Sequence, residues 1–281
     1  MLALFDPRPY RDSLIELGRL IRQHRILIWA MTKGELRRRH AGQALGTVWA
    51  LGHPLFLMAL YVFLFAFVFP GRAMDGEMHA RSLVAYVLAG LIPWLSFSEA
   101  LGQGTRAIIG ESSLVKQVVF PIEVLPIRSA LIAFTGQLIS TPVLLLVLFL
   151  DPAGMPGTAA LLTFLLAVQL AAMVGASYAL SALTVYFRDL QELVRVFVTA
   201  GLFLAPILYQ PAWVDRLFPP FGLMLELNPF THLVWCYQDA AFFGQIAHPW
   251  SWLIVSLLSV LSLSAGYRLF RRLKPLFGDA L

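Results

Sequence analysis

The chain has 281 residues, of which 59% are hydrophobic and 13% charged, and its formal net charge is +5 at pH 7. Because an ordinary soluble domain has about a quarter of its residues charged, this composition excludes a typical soluble enzyme or binding module. The single cysteine, Cys236, excludes an intrachain disulfide. The basic residues lie beside long apolar blocks, which favours a membrane protein over a nucleic-acid-binding one.

Residues 1–44 precede the first apolar block and are predicted to form a cytoplasmic basic segment. Ser13 and Glu16 have the spacing of a capping box, which predicts the start of a helix there. Apolar residues then recur at helical spacing with arginines between them, a pattern typical of an amphipathic helix in the membrane interface. The alternative is a helix packed against a partner protein.

Six apolar segments approach or exceed the roughly 20 residues that a helix needs to cross a bilayer. We therefore predict an all-α integral membrane protein with six transmembrane helices. The predicted spans are residues 48–69, 82–101, 129–150, 157–187, 196–209 and 250–269.

The region 196–243 differs from the other spans. Residues 196–209 are short for a span, and two further short apolar stretches follow at 217–225 and 229–243. Segments this short are more often re-entrant or interfacial than spanning, and non-helical backbone is tolerated at membrane depth only where protein or a water-filled cavity covers it. We predict one span followed by a re-entrant hairpin before the last span.

The distribution of Lys and Arg predicts the orientation, because short cytoplasmic loops carry an excess of these residues. With six spans, 18 of the 21 fall on one side: nine before span one, three between spans two and three, two between spans four and five, and four after span six. Both termini are therefore predicted to be cytoplasmic.

The chain lacks the motifs of an energy-coupling or catalytic protein. It has no G-x-x-x-x-G-K-[ST] loop, so any ATP hydrolysis must occur in another polypeptide. The centres of the predicted spans contain no Asp, Glu, Lys or Arg, which ion-coupled transporters bury. No cluster has metal-ligand spacing, and no nucleophile elbow occurs. We expect no catalytic residue, metal site or cofactor in this chain.

Neutral polar and aromatic side chains are interleaved in the predicted spans. Hydroxyls and amides can hydrogen-bond sugar hydroxyls, and aromatic rings can stack on sugar faces. The alternative is ordinary packing, because small and polar residues also hold transmembrane helices together. The residues predicted to line a path are Tyr61, Phe65, Tyr86, Trp94, Phe97, Gln137, Gln169 and Tyr178.

Five local patterns follow one another along the chain. They are Leu45-Gly46-x-x-Trp49 with Pro54, Lys116 with Phe120-Pro121-x-Glu123-x-Leu125-Pro126, Tyr186-Phe187-Arg188-Asp189, Pro206-Ile207-Leu208-Tyr209, and Asn228-Pro229. In this order, over about residues 10–272, the chain resembles the permease subunits of type-2 ABC exporters, in the branch that exports polysaccharide, O-antigen or capsule.

The resemblance implies a six-span transmembrane domain at 45–272 and a cytoplasmic tail at 273–281, in the bacterial inner membrane. It implies a homodimer bound to two copies of a cytoplasmic ABC ATPase, which would hold ATP and Mg, and transport of a lipid-linked polysaccharide. It also implies a coupling helix seated in the ATPase. The residues expected there are Glu111, Ser112, Leu114, Lys116, Gln117 and Phe120.

The same resemblance places a substrate entrance beside the N-terminal helix and a gate at the outer end. Arg37, Arg38 and Arg39 could meet the phosphate of a lipid carrier, because arginine pairs with phosphate in two-pronged geometry. The alternative role for these arginines is topology and attraction to anionic lipids. Tyr209, Asn228 and Pro229 are expected at the outer gate.

Three rival functions remain open from the sequence. A type-2 permease for a drug or small lipid would have similar spans. An integral-membrane transferase acting on a lipid carrier would need catalytic carboxylates or histidines near one membrane face, and Glu35, Glu99 and Asp189 are scattered. A passive channel would need neither a coupling loop nor an ATPase.

Overall fold

The computed structural model describes residues 8–39, 42, 49–68, 83–117, 120–211 and 220–280. These residues form helices and turns, with no β-strand among them, which confirms the all-α class. Leu45 and Gly46 lie outside the described residues, as do the side chains of Phe65, Lys116 and Gln117. The helices are α1 (Arg8–Arg39), α2 (Trp49–Phe63), α3 (Leu83–Arg106), α4 (Ser112–Gln117), α5 (Val124–Leu150), α6 (Leu162–Tyr186), α7 (Leu190–Leu204), α8 (Pro220–Leu227), α9 (Pro229–Gln238), α10 (Pro249–Leu273) and α11 (Phe277–Ala280).

Short turns of other helix types extend several of these helices. A π-helical turn continues α2 at Leu64–Val68, and another continues α9 at Asp239–Phe243. Turns of 3₁₀-helix lie at Ile109–Glu111 before α4, at Gly157–Leu161 before α6, and at Lys274–Leu276 after α10.

Within the part of the chain that the structure describes, four helical segments are long and apolar enough to cross a membrane. They are Leu83–Arg106, Val124–Leu150, Gly157–Tyr186 and Pro249–Leu276, and they coincide with predicted spans two, three, four and six. Helices α2 and α7, of 15 residues each, lie where spans one and five are expected. The six-span count and the re-entrant hairpin stay predictions.

Helix α1 starts earlier than the capping-box pattern indicates. It begins at Arg8 and continues unbroken to Arg39, so the predicted start at Ser13 is wrong. Pro9 does not prevent this start, because proline is tolerated in the first turn, where the backbone N–H has no intrahelical partner. Leu17 and Ile28 are buried in the core, so α1 is packed onto the bundle along one side.

Helix α3 is the centre of the bundle. In its most apolar stretch 78% of the residues are buried within the chain, against 33% for the last span. It packs against α5, α6, α7 and α9. A helix that is apolar on all sides is expected at such a central position.

Helices α6 and α10 approach each other closely through glycine. A Cβ added to Gly175 would lie closer than 3.0 Å to the backbone of Ser262 and Leu263, and one added to Gly266 would meet the Gly175 carbonyl. Small residues allow transmembrane helices to pack backbone against backbone. These two glycines therefore fix the distance between α6 and α10.

Candidate functional site

A cavity of about 340 Å³ lies between the C-terminal end of α1 and helices α2, α3 and α5. Its wall combines apolar side chains with a smaller polar set. The polar lining residues are Arg39, Ser96, Glu99, Thr135, Gln137 and Ser140. The fold thus brings one predicted entrance residue, Arg39, and one predicted path residue, Gln137, to the same cavity.

Of the three predicted entrance arginines, one faces this cavity. Arg39 Nη1 lies 2.6 Å from Glu99 Oε1, which ties the end of α1 to α3. Arg38 Nη2 instead lies 2.5 Å from Glu35 Oε2 on its own helix, and Arg37 is exposed. Exposed ion pairs contribute little to stability. The main effect of the Arg39–Glu99 pair is therefore to hold the Arg39 guanidinium at the cavity wall.

A chain of buried amides lies behind the cavity. Gln137 Nε2 donates to Gln169 Oε1 at 2.8 Å and to Tyr237 Oη at 2.7 Å, and Gln169 Nε2 donates to the Pro93 carbonyl at 3.0 Å. These bonds join α3, α5, α6 and α9. The Gln137 Oε1 atom is buried and has no hydrogen-bond donor among the described residues.

Two of the predicted path aromatics belong to a packed aromatic cluster. The Phe230 ring lies edge-on to Trp94 and Phe97, with centroids 5.3 and 5.0 Å apart. Gly201 on α7 brings its backbone against the Trp94 indole, where a Cβ would lie closer than 3.0 Å to the ring. The cluster therefore fixes α7 to α3.

The other predicted path residues lie apart from the 340 Å³ cavity. Phe97 and Gln169 line a second, mostly apolar cavity of about 250 Å³. Tyr86 and Tyr178 are buried, and the Tyr178 hydroxyl donates to the Glu123 carbonyl at 2.8 Å. Tyr61 is partly buried against the core. A role for these residues in a transport path stays a prediction.

The predicted coupling segment is held to the bundle by a charge pair. Arg128 Nη2 lies 2.9 Å from Glu111 Oε1, and the Arg128 side chain is only 8% exposed. Glu111 closes a 3₁₀ turn and Ser112 begins α4, while Leu114 and Phe120 are partly buried against the core. A buried arginine requires a partner nearby, and Glu111 supplies it here.

The C-terminal end of α10 is also tied to the rest of the bundle by ion pairs. Arg271 near the end of α10 pairs with Glu16 on α1. Lys274 Nζ lies 2.5 Å from Glu123 Oε1, just before α5. The C-terminal end of α10 is therefore attached both to α1 and to the start of α5.

The predicted gate residues take part in turns around α9. Asn228 Oδ1 accepts a hydrogen bond from the Phe230 N–H at 3.0 Å and so caps α9, with Pro229 at its first position. The Tyr209 carbonyl accepts from the Tyr86 hydroxyl at 3.1 Å. These contacts explain the backbone geometry, and gating stays a prediction.

Sequence reasoning missed a buried acid next to these turns. Asp239 is fully buried, and its carboxyl oxygens accept hydrogen bonds from the His248 N–H at 3.0 Å and Trp252 Nε1 at 3.0 Å, while His248 Nδ1 lies 2.8 Å away. The His248 ring stacks on Trp235. The available signal was a lone acid in the apolar stretch 229–243, because a buried charge needs partners.

Replacing Asp239 by alanine is expected to destabilise the packing between the end of α9 and the start of α10. Three polar groups would lose their acceptor, at about 1–3 kcal/mol for each donor left buried and unpaired. Thermal unfolding in detergent should therefore occur at a clearly lower temperature. The exposed Asp12→Ala change is the matched control and should have no measurable effect. Equal melting temperatures for both variants would contradict a structural role for Asp239.

Among the described residues, no group of three or more His, Cys, Asp or Glu side chains is placed to hold a metal ion. The chain matches the family described as "ABC-2 type transporter" over residues 26–242.

The chain belongs to the ABC-2 type transporter family.

Relatives of this ABC-2 transporter are similar along nearly their whole length. It is 29% identical over 269 residues to "O-antigen export system permease protein RfbA" of Myxococcus xanthus, an alignment that covers 95% of this chain and 100% of the relative. Two Klebsiella pneumoniae proteins of the same name are 24% and 22% identical, each covering 91% of this chain and 95% of the relative.

Family membership identifies this ABC-2 protein as a transport subunit in a membrane rather than an enzyme. It also implies a partner ATPase subunit. The family assignment made from the five short patterns is confirmed.

Proposed function

We propose that this chain is the permease subunit of an ATP-driven exporter that moves lipid-linked polysaccharide across the bacterial inner membrane. The observation that carries the proposal is the end-to-end similarity to a protein named as an O-antigen export permease. The alignment spans the whole of that relative, so the similarity includes every part of the relative that could carry its function.

The proposed topology has six spans, with α2 and α7 as the first and fifth. The 15-residue α2 continues through the π-helical turn at Leu64–Val68, which brings the first span to the length that a bilayer needs. Helices α8 and α9 form the re-entrant hairpin. Both termini are cytoplasmic, in line with the Lys and Arg distribution. Residues 45–272 form the transmembrane domain, between a basic segment at 1–44 and a tail at 273–281.

The proposed motor is a cytoplasmic ATPase subunit, present in two copies, which holds ATP and Mg. Two copies of the permease form the transport path between them. The segment from Glu111 to Phe120 is the coupling element, and the Glu111–Arg128 pair supports this role because it joins the segment to the start of α5. A push on α4 would therefore be transmitted to a membrane-spanning helix.

The proposed entrance lies beside α1. Arg11, Arg19, Arg22 and Arg25 are exposed on this helix, next to the exposed apolar side chains of Ile15, Ile21, Ile26 and Trp29. This combination suits the interface of an anionic membrane, with the apolar side chains among the acyl chains. A lipid carrier would approach Arg37, Arg38 and Arg39 from this surface.

Deleting the gene for this permease tests the proposed substrate. Lipid-linked polymer is expected to accumulate in the cytoplasm and surface polysaccharide to disappear, because the polymer cannot cross the membrane unaided. The measurement is surface polysaccharide on intact cells together with polymer extracted from the cytoplasm. Complementation with the wild-type gene is the control.

Unchanged surface polysaccharide in the deletion strain would contradict the proposal. If that strain instead became sensitive to a drug or lost a small lipid from its surface, the chain would serve the drug or small-lipid branch.

A further inference from the structure

We infer that the 340 Å³ cavity between α1, α2, α3 and α5 is a carbohydrate site, which receives one uncharged sugar residue of the exported glycan. The inference rests on the proposed function and adds to it a defined binding place within a single chain. The volume is at the lower end of the roughly 300–1,000 Å³ range of small-molecule sites, which suits one or two sugar rings rather than a polymer.

The charges of the lining favour a neutral ligand. Among the described residues, Arg39 and Glu99 are the only charged ones that line the cavity, and they are paired at 2.6 Å. A free phosphate would gain Arg39 but meet the negative charge of Glu99. A sugar hydroxyl can donate to Glu99 and accept from Arg39 at the same time, because a hydroxyl is both donor and acceptor.

The neutral polar groups of the lining have hydrogen-bonding capacity left. Gln137 Oε1 is a buried acceptor without a donor among the described residues, and both hydrogens of its Nε2 are used by Gln169 and Tyr237. Leaving a buried acceptor unpaired is unfavourable. Thr135 and Ser140 add hydroxyls to the same wall. Because Gln137 Oε1 is not exposed to the cavity, a polyol would meet this atom only after the side chain moves, and the lining hydroxyls of Thr135 and Ser140 are its direct polar partners.

The apolar part of the lining provides a flat surface. The Trp49 indole lines the cavity and is 43% exposed. One face of a sugar ring carries mainly C–H groups and packs against an aromatic face, while its hydroxyls point sideways to polar partners. Trp49 and the polar groups of α3 and α5 supply both kinds of contact.

Binding of simple glycosides to the full chain tests the inference. The protein is placed in phosphatidylcholine nanodiscs, because many detergents carry sugar headgroups. Saturation-transfer NMR is then recorded with methyl glycosides of glucose, galactose, mannose and N-acetylglucosamine, and phosphorus NMR with inorganic phosphate. We expect transfer to at least one glycoside and no binding of phosphate.

Two pairs of variants locate the signal. Gly136→Leu fills the cavity without a backbone clash, and Trp49→Leu removes the flat surface. Each is expected to weaken glycoside binding roughly tenfold or more. Their matched controls are Gly102→Leu, where a Cβ meets nothing within 4 Å, and Trp250→Leu, an exposed residue at the start of α10. Both controls should bind glycoside as the wild type does.

Any other outcome contradicts the inference. Absence of transfer to any of the glycosides would mean that the cavity holds water only. Equal signals in Gly136→Leu and wild type would place the sugar elsewhere, and competition by phosphate would indicate an anion site. Should Gly136→Leu fail to fold, the comparison of Trp49→Leu with Trp250→Leu decides alone. Normal polysaccharide export in cells alongside any of these results would leave the proposed function standing.

Discussion

Replacing Gly175 by leucine is expected to prevent assembly of the folded protein. The new side chain would overlap the backbone of α10 at Ser262 and Leu263, where no change of rotamer can relieve the contact. Overpacking a core costs typically about 1–3 kcal/mol, and a clash with backbone should reach or exceed the upper value. Membrane abundance and the thermal unfolding midpoint in detergent measure the effect, and Gly266→Leu should reproduce it.

The matched control is Gly102→Leu on α3, where an added Cβ has no neighbour within 4 Å. This variant should accumulate to wild-type levels, because leucine favours helix more than glycine does. Wild-type abundance and melting of the Gly175→Leu protein would show that α6 and α10 are not held at the observed separation.

Reversing the charge at Lys116 is expected to abolish export. In the proposed complex this residue lies on the coupling helix and meets an acidic partner surface, so Lys116→Glu turns attraction into repulsion. The ATPase should either dissociate or hydrolyse ATP without moving substrate. Co-purification of the two subunits and surface polysaccharide are the two readouts, with a loss of roughly tenfold or more in apparent affinity, equivalent to about 1.4 kcal/mol.

Lys33→Glu is the control for this change. Lys33 is exposed on α1 and belongs to none of the coupling elements, so its reversal should leave ATPase binding intact. Full export by the Lys116→Glu permease would refute the coupling role of 111–120. The double change of Lys116→Glu with a compensating basic residue in the ATPase should restore export in part.

The membrane-spanning helices could be predicted closely because each rests on a long uninterrupted apolar block. The helical segments that include α3, α5, α6 and α10 overlap almost completely with predicted spans two, three, four and six. The ends of these helices are harder to predict, because a proline does not always stop a helix: Pro126 lies in the first turn of α5. Proline in a first turn removes a donor that has no intrahelical partner.

The sequence could identify individual residues of the candidate site, but not which of them contact one another. Arg37, Arg38 and Arg39 are identical in type and adjacent in sequence, but successive residues of a helix point about 100° apart. Only Arg39 therefore reaches Glu99, and nothing local to the triplet reveals which arginine will do so. The sequence identifies Gln137 and Gln169 separately, as polar residues of two different spans, and their mutual hydrogen bond depends on how α5 and α6 pack.

Asp239 escaped prediction for a different reason. The mean hydropathy of residues 229–243 is apolar, and a single acid among aromatic residues changes that mean very little. Its partners His248 and Trp252 follow in the next loop and helix, so their contact with Asp239 depends on the turn between them.

Among the described residues, the two ion pairs that join α1 to other helices have a mechanical consequence. Glu16 is bound to Arg271 near the end of the last span, and Arg39 is bound to Glu99 on the central helix. The first helix is thus anchored at two points about 23 residues apart, a reach of roughly 35 Å along a helix. In the proposed mechanism, any movement of α1 away from the bundle to admit a lipid carrier would have to separate these pairs as well as the buried contacts of Leu17 and Ile28. Because salt screens exposed charge pairs, raising the salt concentration is expected to weaken both pairs and so to change the rate of substrate loading more than the rate of ATP hydrolysis.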